Sequence, residues 1–248
     1  MVARHRVLDP SARPSIGENI CALAVMTKAP RAGQVKTRLV PPLSPEEAAQ
    51  LNICFLRDTA AAISKAVGTT ARGIGVYTPI GAEAAYIDIL PGDFDLLPQR
   101  GDGFGERLAF AAEDLFQCGF ASVCLIDSDS PTVSADFYAQ AVKMLSEPGD
   151  RVVLGPSDDG GYYLIGFKKS RRQLFDRIDW STERVLEQTK QRARELSLEI
   201  GLLPTGYDVD DAAALRRLCD ELLSDKLEHD VAPNTRQFLT TLTAQKKL

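Results

Sequence analysis

Two aspartates one residue apart, Asp127 and Asp129, end an apolar run over residues 121–126. Such a run reads as a buried parallel strand, and open α/β sheets bind ligands outside the carboxyl ends of their strands. Carboxylates this close repel one another unless a cation or a shared proton lies between them. The two histidines, His5 and His229, lie near the chain ends, so the expected partner is a hard divalent cation, Mg²⁺ or Mn²⁺, which takes oxygen ligands and keeps water and substrate phosphates in its shell. The competing reading is structural: an Asx-turn before Pro131, or a cap for a helix starting near Ser134. Asp208 and Asp210 form a second alternating pair just past another expected strand and are candidates for the metal's other protein ligand.

Phosphate chemistry has a candidate of its own. Lys28, Arg31, Lys36 and Arg38 gather with Gly33 in the loop after the first expected strand, on a chain whose net charge is -5. Gly33 lets backbone N–H groups approach a polyphosphate while the cations neutralise its oxygens. The spacing is not that of a P-loop; a solvated basic surface is the alternative. A second glycine-rich turn, residues 99–107, puts Gly103 at a strand-to-helix junction where a ring or ribose can lie against backbone and a helix N-terminus favours anions. Arg107 is a candidate phosphate contact there, with an exposed helix arginine as the commoner meaning. In Gly155–Gly166 two acids and two glycines interrupt two apolar segments. Asp158 or Asp159 is expected to face the pocket of Asp129, and an ordinary Asp-Gly hairpin turn is the equal alternative.

These residues need elements to carry them. Ile20–Met26, Ile74–Thr78, Phe94–Leu97, 121–126, Arg151–Leu154, a strand from Tyr162 and Glu199–Leu203 read as strands. Helices are expected at Leu43–Ala66, Ala82–Leu90, Glu106–Gln117, Ala135–Leu145, Trp180–Leu196, Ala213–Leu223 and Asn234–Leu242. The first of these has Ser44, Pro45 and Glu47 as a capping box with the favoured proline. Trp180 reads as a core anchor and Ser181–Thr182 as part of an N-capped start. Strand and helix alternation predicts a doubly wound α/β sheet. Residues 1–19 are expected to be a mobile arm and 20–248 a single domain.

Composition narrows the function. The chain has 248 residues, 44% of them hydrophobic and 25% charged, with a pI near 5.2, which argues against a nucleic-acid binder, a role that normally shows as a basic face. No run approaches a membrane span. Five cysteines without a C-x-x-C point to buried, reduced thiols in a cytoplasmic protein.

The motifs at 28–39, 127–131, 155–166, 180–182 and 207–211 together resemble the bacterial DUF2064 family, grouped with the nucleotide-diphospho-sugar transferases and labelled glycosyltransferase-like. The resemblance covers Ile20 to Leu218. It implies the GT-A type of α/β fold, a mostly parallel sheet with helices on both faces, and it matches Asp129 to the metal aspartate with the basic loop under the phosphates. Asp127 and Ser130 stand where it implies Gly and Cys; the change creates a full Asp-x-Asp, which is closer to glycosyltransferases. The leading expectation is a metal-dependent transferase acting on a nucleotide sugar and a small-molecule acceptor. Asp129, Asp208 and Asp210 would hold Mg²⁺ or Mn²⁺, and Asp127 would touch the ribose or a metal-bound water. Lys28, Lys36 and Arg38 would stabilise the leaving phosphates, and Asp159 would be the base. The alternatives are a nucleotidyltransferase joining an NTP to a phosphorylated acceptor and a non-catalytic nucleotide-binding protein.

Overall fold

Apolar residues at consecutive positions of Cys21–Lys28 leave neither face fit for water, and this strand, β1, takes an interior place in a seven-stranded sheet. The structure is a computed structural model that describes residues 5–12, 16–17, 19–224, 227–228 and 230–245; His229 lies outside them. The remaining strands are β2 (Ala71–Thr78), β3 (Asp95–Pro98), β4 (Ser122–Ile126), β5 (Arg151–Pro156), β6 (Tyr162–Phe167) and β7 (Glu199–Leu202). The helices are α1 (Pro45–Ala66), α2 (Phe104–Gln117), α3 (Ala135–Ser146), α4 (Val185–Glu195), α5 (Ala212–Leu222) and α6 (Pro233–Ala244).

The sheet order is β3-β2-β1-β4-β6-β5-β7. Every pairing is parallel except those of β6, which runs antiparallel to both β4 and β5. The expected α/β sheet with helices on both faces is therefore present, and residues 157–161 make the hairpin turn between β5 and β6. From β1 the chain goes on to β2 on one side and from β4 to β5 on the other, so the strand order reverses between β1 and β4. That is a topological switch point, where open α/β sheets place ligands.

Alternation along β1 separates two cores. Cys21, Leu23 and Val25 pack with Leu56, Ala60 and Ile63 of α1 and with Tyr138 and Ala141 of α3. Ala22 and Ala24 pack on the opposite face with Leu108, Ala112 and Leu115 of α2 and Ala193 of α4. A third core joins Leu51 and Phe55 of α1 to Leu215 and Leu218 of α5 and Leu239 of α6. Thus α1 has two apolar faces and belongs to two cores. All five cysteines are free, and Cys21, Cys54, Cys118 and Cys124 are buried as expected. No helix among the described residues is long and apolar enough to cross a membrane.

Several local expectations need correction. The helix expected over Ala82–Leu90 is only a 3₁₀ turn at Glu83–Tyr86. The helix expected from Trp180 begins at Val185, and its N-cap, Arg184, makes no side-chain cap. Thr182 Oγ1 instead donates to the Asp179 carbonyl at 2.7 Å and accepts from the Arg184 N–H, closing a turn ahead of the helix. Part of the expected N-terminal arm is docked: Leu8 is buried, its N–H donates to Leu96 O at 2.8 Å, and Leu96 N–H donates to Arg6 O at 2.8 Å. Residues 6–8 thereby cover backbone groups at the β3 edge that would otherwise stay open.

One buried carboxylate seats α6. Asp58 on α1 accepts from the backbone N–H groups of Asn234 and Thr235 and from their side chains, at 2.6 to 3.0 Å. It satisfies N–H groups that a helix start leaves without intrahelical partners. Asp58→Ala should lower the free energy of unfolding by about 2–3 kcal/mol, since it removes hydrogen bonds to a buried charged acceptor. Urea unfolding measures this, and a change within about 0.5 kcal/mol, ordinary for a surface substitution, would contradict the role.

Candidate active site

The crevice at the switch point is walled by three segments that follow β1, β4 and β7. The β1 segment carries Lys36, whose backbone is left-handed at φ 49. This costs a non-glycine residue about 1–2 kcal/mol, and the contacts of its side chain show what the conformation achieves. The Lys36 ammonium, with only 4% of the side chain exposed, lies 2.8 Å from Asp129 Oδ1 and 2.8 Å from Asp210 Oδ1. It also donates to Val209 O at 2.8 Å. Burial pulls the lysine pKa down, but the charges of Asp129 and Asp210 and their hydrogen bonds outweigh it and hold the pKa above its ordinary value. One cation therefore joins all three segments, and Val209 N–H donates to Asp129 O at 2.9 Å to close the seam.

Around this cation the acids have unlike environments. Asp129 also accepts from Ser128 Oγ on Oδ1, while its Oδ2 has no hydrogen bond among the described residues. Burial, reinforced by Asp129, pushes Asp127 well above the carboxylate range, although Ser130 Oγ donates to it at 2.7 Å. Asp208 is pushed up to about 6 by burial, then by Asp159 and Asp210. Asp210 has Lys36 on Oδ1 and Arg38, 3.7 Å away, on Oδ2. Asp159 holds the turn between β5 and β6 by accepting from Gly161 N–H at 2.8 Å.

A cleft of about 530 Å³ gathers Asp127, Asp129, Asp159, Asp208 and Asp210, with Arg38 at its edge. A second recess of about 240 Å³, which includes Lys28, Lys36 and Arg38, shares Ser128, Asp129 and Asp210 with it. Lys28 and Arg31 form no ion pair among the described residues. Gly33 has φ +71, in the region that favours glycine.

Other expected contacts lie elsewhere. Gly103 borders a different groove and is absent from the acid cleft, while its N–H and that of Asp102 donate to Glu106 Oε2. The helix N-terminus there already has its own carboxylate. Arg107 donates to the carbonyls of Gly101 and Asp102 and clasps its own turn, so it does not reach the cleft. Asp158 pairs with Arg217 instead of joining Asp159 in the cleft. Trp180 packs against the second core as expected, but it also lines the cleft with Phe104, their ring centroids 5.1 Å apart, a role that sequence reading missed for both. A signal was available in Gly105, where a Cβ would stand 2.6 Å from Trp180 Nε1, so the indole needs a glycine beneath it.

No three carboxylates, histidines or cysteines among the described residues stand together as a metal cage. A cation here would need oxygens from a bound substrate, as Mg²⁺ commonly does.

Comparison with known proteins bears on the fold. A structure from Desulfovibrio desulfuricans G20, described as that of a candidate nucleotide-diphospho-sugar transferase, superposes with TM-score 0.80 and 28% identity, covering 92% of this chain and 96% of that one. The 4-diphosphocytidyl-2C-methyl-D-erythritol synthase of Anaerococcus prevotii DSM 20548 superposes with TM-score 0.55 at 12% identity, covering 83% and 97%. A CMP:2-keto-3-deoxy-manno-octonic acid synthetase complexed with CTP gives 0.52 at 11%, covering 85% and 100%. The last two likenesses are of fold alone. No curated protein matches the chain. The fold is that of nucleotide-dependent transferases. Residues 61–182 match the DUF2064 family, described as an uncharacterized protein conserved in bacteria. The matched segment contains Asp127, Asp129 and Asp159, and neither Lys36 nor Asp210.

Removing the shared cation should be felt as charge, not only as lost packing. Lys36→Met strands two partly exposed carboxylates, and the expected loss of stability is about 1–3 kcal/mol, below the range for a fully buried pair. Adding Asp210→Asn to Lys36→Met should recover part of the loss in urea unfolding, an interaction that a double-mutant cycle reads directly. Strict additivity would contradict the clamp.

Proposed function

We propose that this protein is a transferase that takes a nucleotide-diphospho-sugar as donor and passes the sugar to a small-molecule acceptor. The observation that carries the reading is the continuity of two unlike recesses through Ser128, Asp129 and Asp210: one basic, one acidic and aromatic. A donor of this class has both characters, a diphosphate at one end and a hydroxylated ring at the other. The similarity to the Desulfovibrio structure over nearly the whole chain supports the same class.

In this reading Lys28 and Arg38 bind the diphosphate, and the cation of Lys36 stays with Asp129 and Asp210 as a positioning residue. Asp129, through Oδ2, and Asp208 are the residues that would hold Mg²⁺ or Mn²⁺. The donor set fits, because burial and neighbouring carboxylates leave Asp208 short of positive charge. Asp210 is no longer among the proposed ligands, since both its oxygens face protein cations. A bound cation supplies charge opposite the leaving phosphate. Asp159 takes the proton of the acceptor hydroxyl as the new bond forms from that oxygen to the anomeric carbon. The bond from the anomeric carbon to the phosphate oxygen breaks, and the nucleoside diphosphate departs with its electron pair, stabilised by the lysine and arginine side chains.

The second reading, nucleotidyl transfer from an NTP, draws on Lys28, which lines the basic recess and has no ion pair among the described residues, and would suit departing pyrophosphate. A thermal-shift panel of NTPs and nucleotide sugars, each with Mn²⁺, Mg²⁺ or EDTA, separates the two. A nucleotide sugar at about one hundred times its dissociation constant should stabilise the fold by about 2.7 kcal/mol, and Asp129→Ala should abolish the metal-dependent part. Asp159→Asn should keep the donor-induced shift while turnover falls about 10²–10⁴-fold. Stronger stabilisation by an NTP than by any nucleotide sugar moves the assignment to nucleotidyl transfer. Full metal-dependent turnover in Asp129→Ala removes the metal role.

A further inference from the structure

One end of the cleft is built from side chains with no part in the chemistry above. Phe104 opens α2 with 54% of its surface exposed, although it is a large apolar residue. Trp180 stands edge-on to it, and Phe175, stacked on the indole from behind at 6.5 Å, fixes the indole plane. Gly105 admits that indole against the first turn of α2. The segment carrying Trp180 is held as well. Ser181 is left-handed at φ 63, the Leu186 N–H donates to Gly160 O at 2.9 Å, and a Cβ on Gly160 would stand 2.2 Å from the Glu183 carbonyl oxygen. The aromatic wall and the turn carrying Asp159 therefore form one packed unit.

Charge then says what the wall can face. Asp127, Asp129, Asp159, Glu183, Asp208 and Asp210 line the cleft against a single guanidinium, that of Arg38, which lies toward Asp210. Beside the wall stand Ser181, Thr182 and Glu183, and Glu183 has no basic partner among the described residues. On the cleft side of the wall a phosphate or carboxylate would meet like charge; Arg172 and Arg177 border the separate groove that Phe104 and Trp180 also line, and they and Arg184 are already paired with Glu106, Glu195 and Asp179. A flat ring with an apolar C–H face and hydroxyls at its rim meets the opposite: an aromatic surface to lie on and carboxylate and hydroxyl oxygens to receive its donors.

We infer that Phe104 and Trp180 form the acceptor subsite, and that the acceptor is an uncharged polyhydroxylated ring of the sugar type, not a phosphorylated one. The inference deepens the proposed glycosyl transfer and rests on it. It names the acceptor's class and places its reacting hydroxyl on the side of Asp159.

Trp180 is the only tryptophan of the chain, so its emission reports on the subsite. The full chain, with Mg²⁺ and with UDP, GDP or CDP in turn, is titrated with methyl α-glucoside, α-mannoside and α-galactoside and with glucose 6-phosphate. At least one neutral glycoside should change the emission saturably, and glucose 6-phosphate should bind at least about tenfold more weakly than methyl α-glucoside if like charge costs about 1.4 kcal/mol. Phe104→Ala should weaken the glycoside about tenfold, as loss of an aromatic contact does, and leave the nucleotide-induced thermal shift in place. Glu183→Lys, an exposed change that spares the core, should close or reverse the gap between glucoside and phosphate. Tighter binding of glucose 6-phosphate overturns the inference, as does silence from every glycoside. A saturable response to a plain nucleoside overturns it too, by making the wall the seat of the base. If nucleotide sugars still stabilise the fold while the glycosides fail, this inference falls alone. If neither binds, the donor reading falls with it.

Discussion

The site depends on one buried ammonium. Lys36 makes three short contacts, to Asp129, Asp210 and the Val209 carbonyl, and its partners on the last segment are 173 and 174 residues away in sequence. A lysine suits this place better than an arginine, because three donors on a compact charge can meet acceptors from three directions, whereas a planar fork matches a single carboxylate. The left-handed backbone at Lys36 fits the same constraint. It turns the chain so that a residue from the basic loop points inward, while Arg31 and Arg38 stay outside. Strain concentrated at a residue with this many contacts is what the surrounding structure over-determines.

That clamp also explains why the acids do not share one fate. Lys36 makes its short contacts to Asp129 and Asp210, whereas at Asp127 and Asp208 burial and neighbouring carboxylates outweigh its charge and push both carboxyls above their ordinary range. The same loop that neutralises one pair thus leaves another in want of a cation, and the cleft keeps an acidic floor beside a basic rim. The sheet order accounts for the meeting: β1 and β4 are neighbours between which the strand order reverses, and the segment after β7 arrives from the far edge to complete the wall.

What could be read from sequence follows from the range of the interactions. The strands β1 and β4 and the capping box of α1 are encoded within a few consecutive residues, and the structure has them within two residues of expectation. The placement of acids and cations at strand ends was legible for the same reason. Lys36 as a clamp was not, because nothing in residues 28–39 says which of four cations turns inward. The reversal of β6 was legible only as one of two equal readings, since an Asp-Gly turn and a functional loop share the same residues. Gly103 and Arg107 misled because a helix start with glycines looks like an anion site whether or not a Glu106 already occupies it. Trp180 packs on the core as expected, but its second role on the cleft was not legible because the cue sits on another element, at Gly105.

The charge layout of the cleft bears on the choice between two reactions that the fold serves equally. Both need a phosphate grip and a carboxylate near the reacting centre, so neither the sheet nor Asp129 distinguishes them. They differ in the acceptor: nucleotidyl transfer of the kind considered brings a phosphate as nucleophile, which requires positive charge on the acceptor side, and glycosyl transfer brings a hydroxyl, which requires a base. On that side the cleft presents Asp159, Glu183, two hydroxyls and two aromatic rings, while the cations that line the two recesses, Lys28, Lys36 and Arg38, all come from the β1 loop; Arg172 and Arg177, in the groove beyond the rings, are paired with Glu106 and Glu195. An acceptor phosphate would have to share the basic recess with the donor's own phosphates and compete with them for Lys28 and Arg38. A neutral hydroxylated acceptor has no such competition, and the carboxylate it needs for its proton is already packed against the wall on which it would lie.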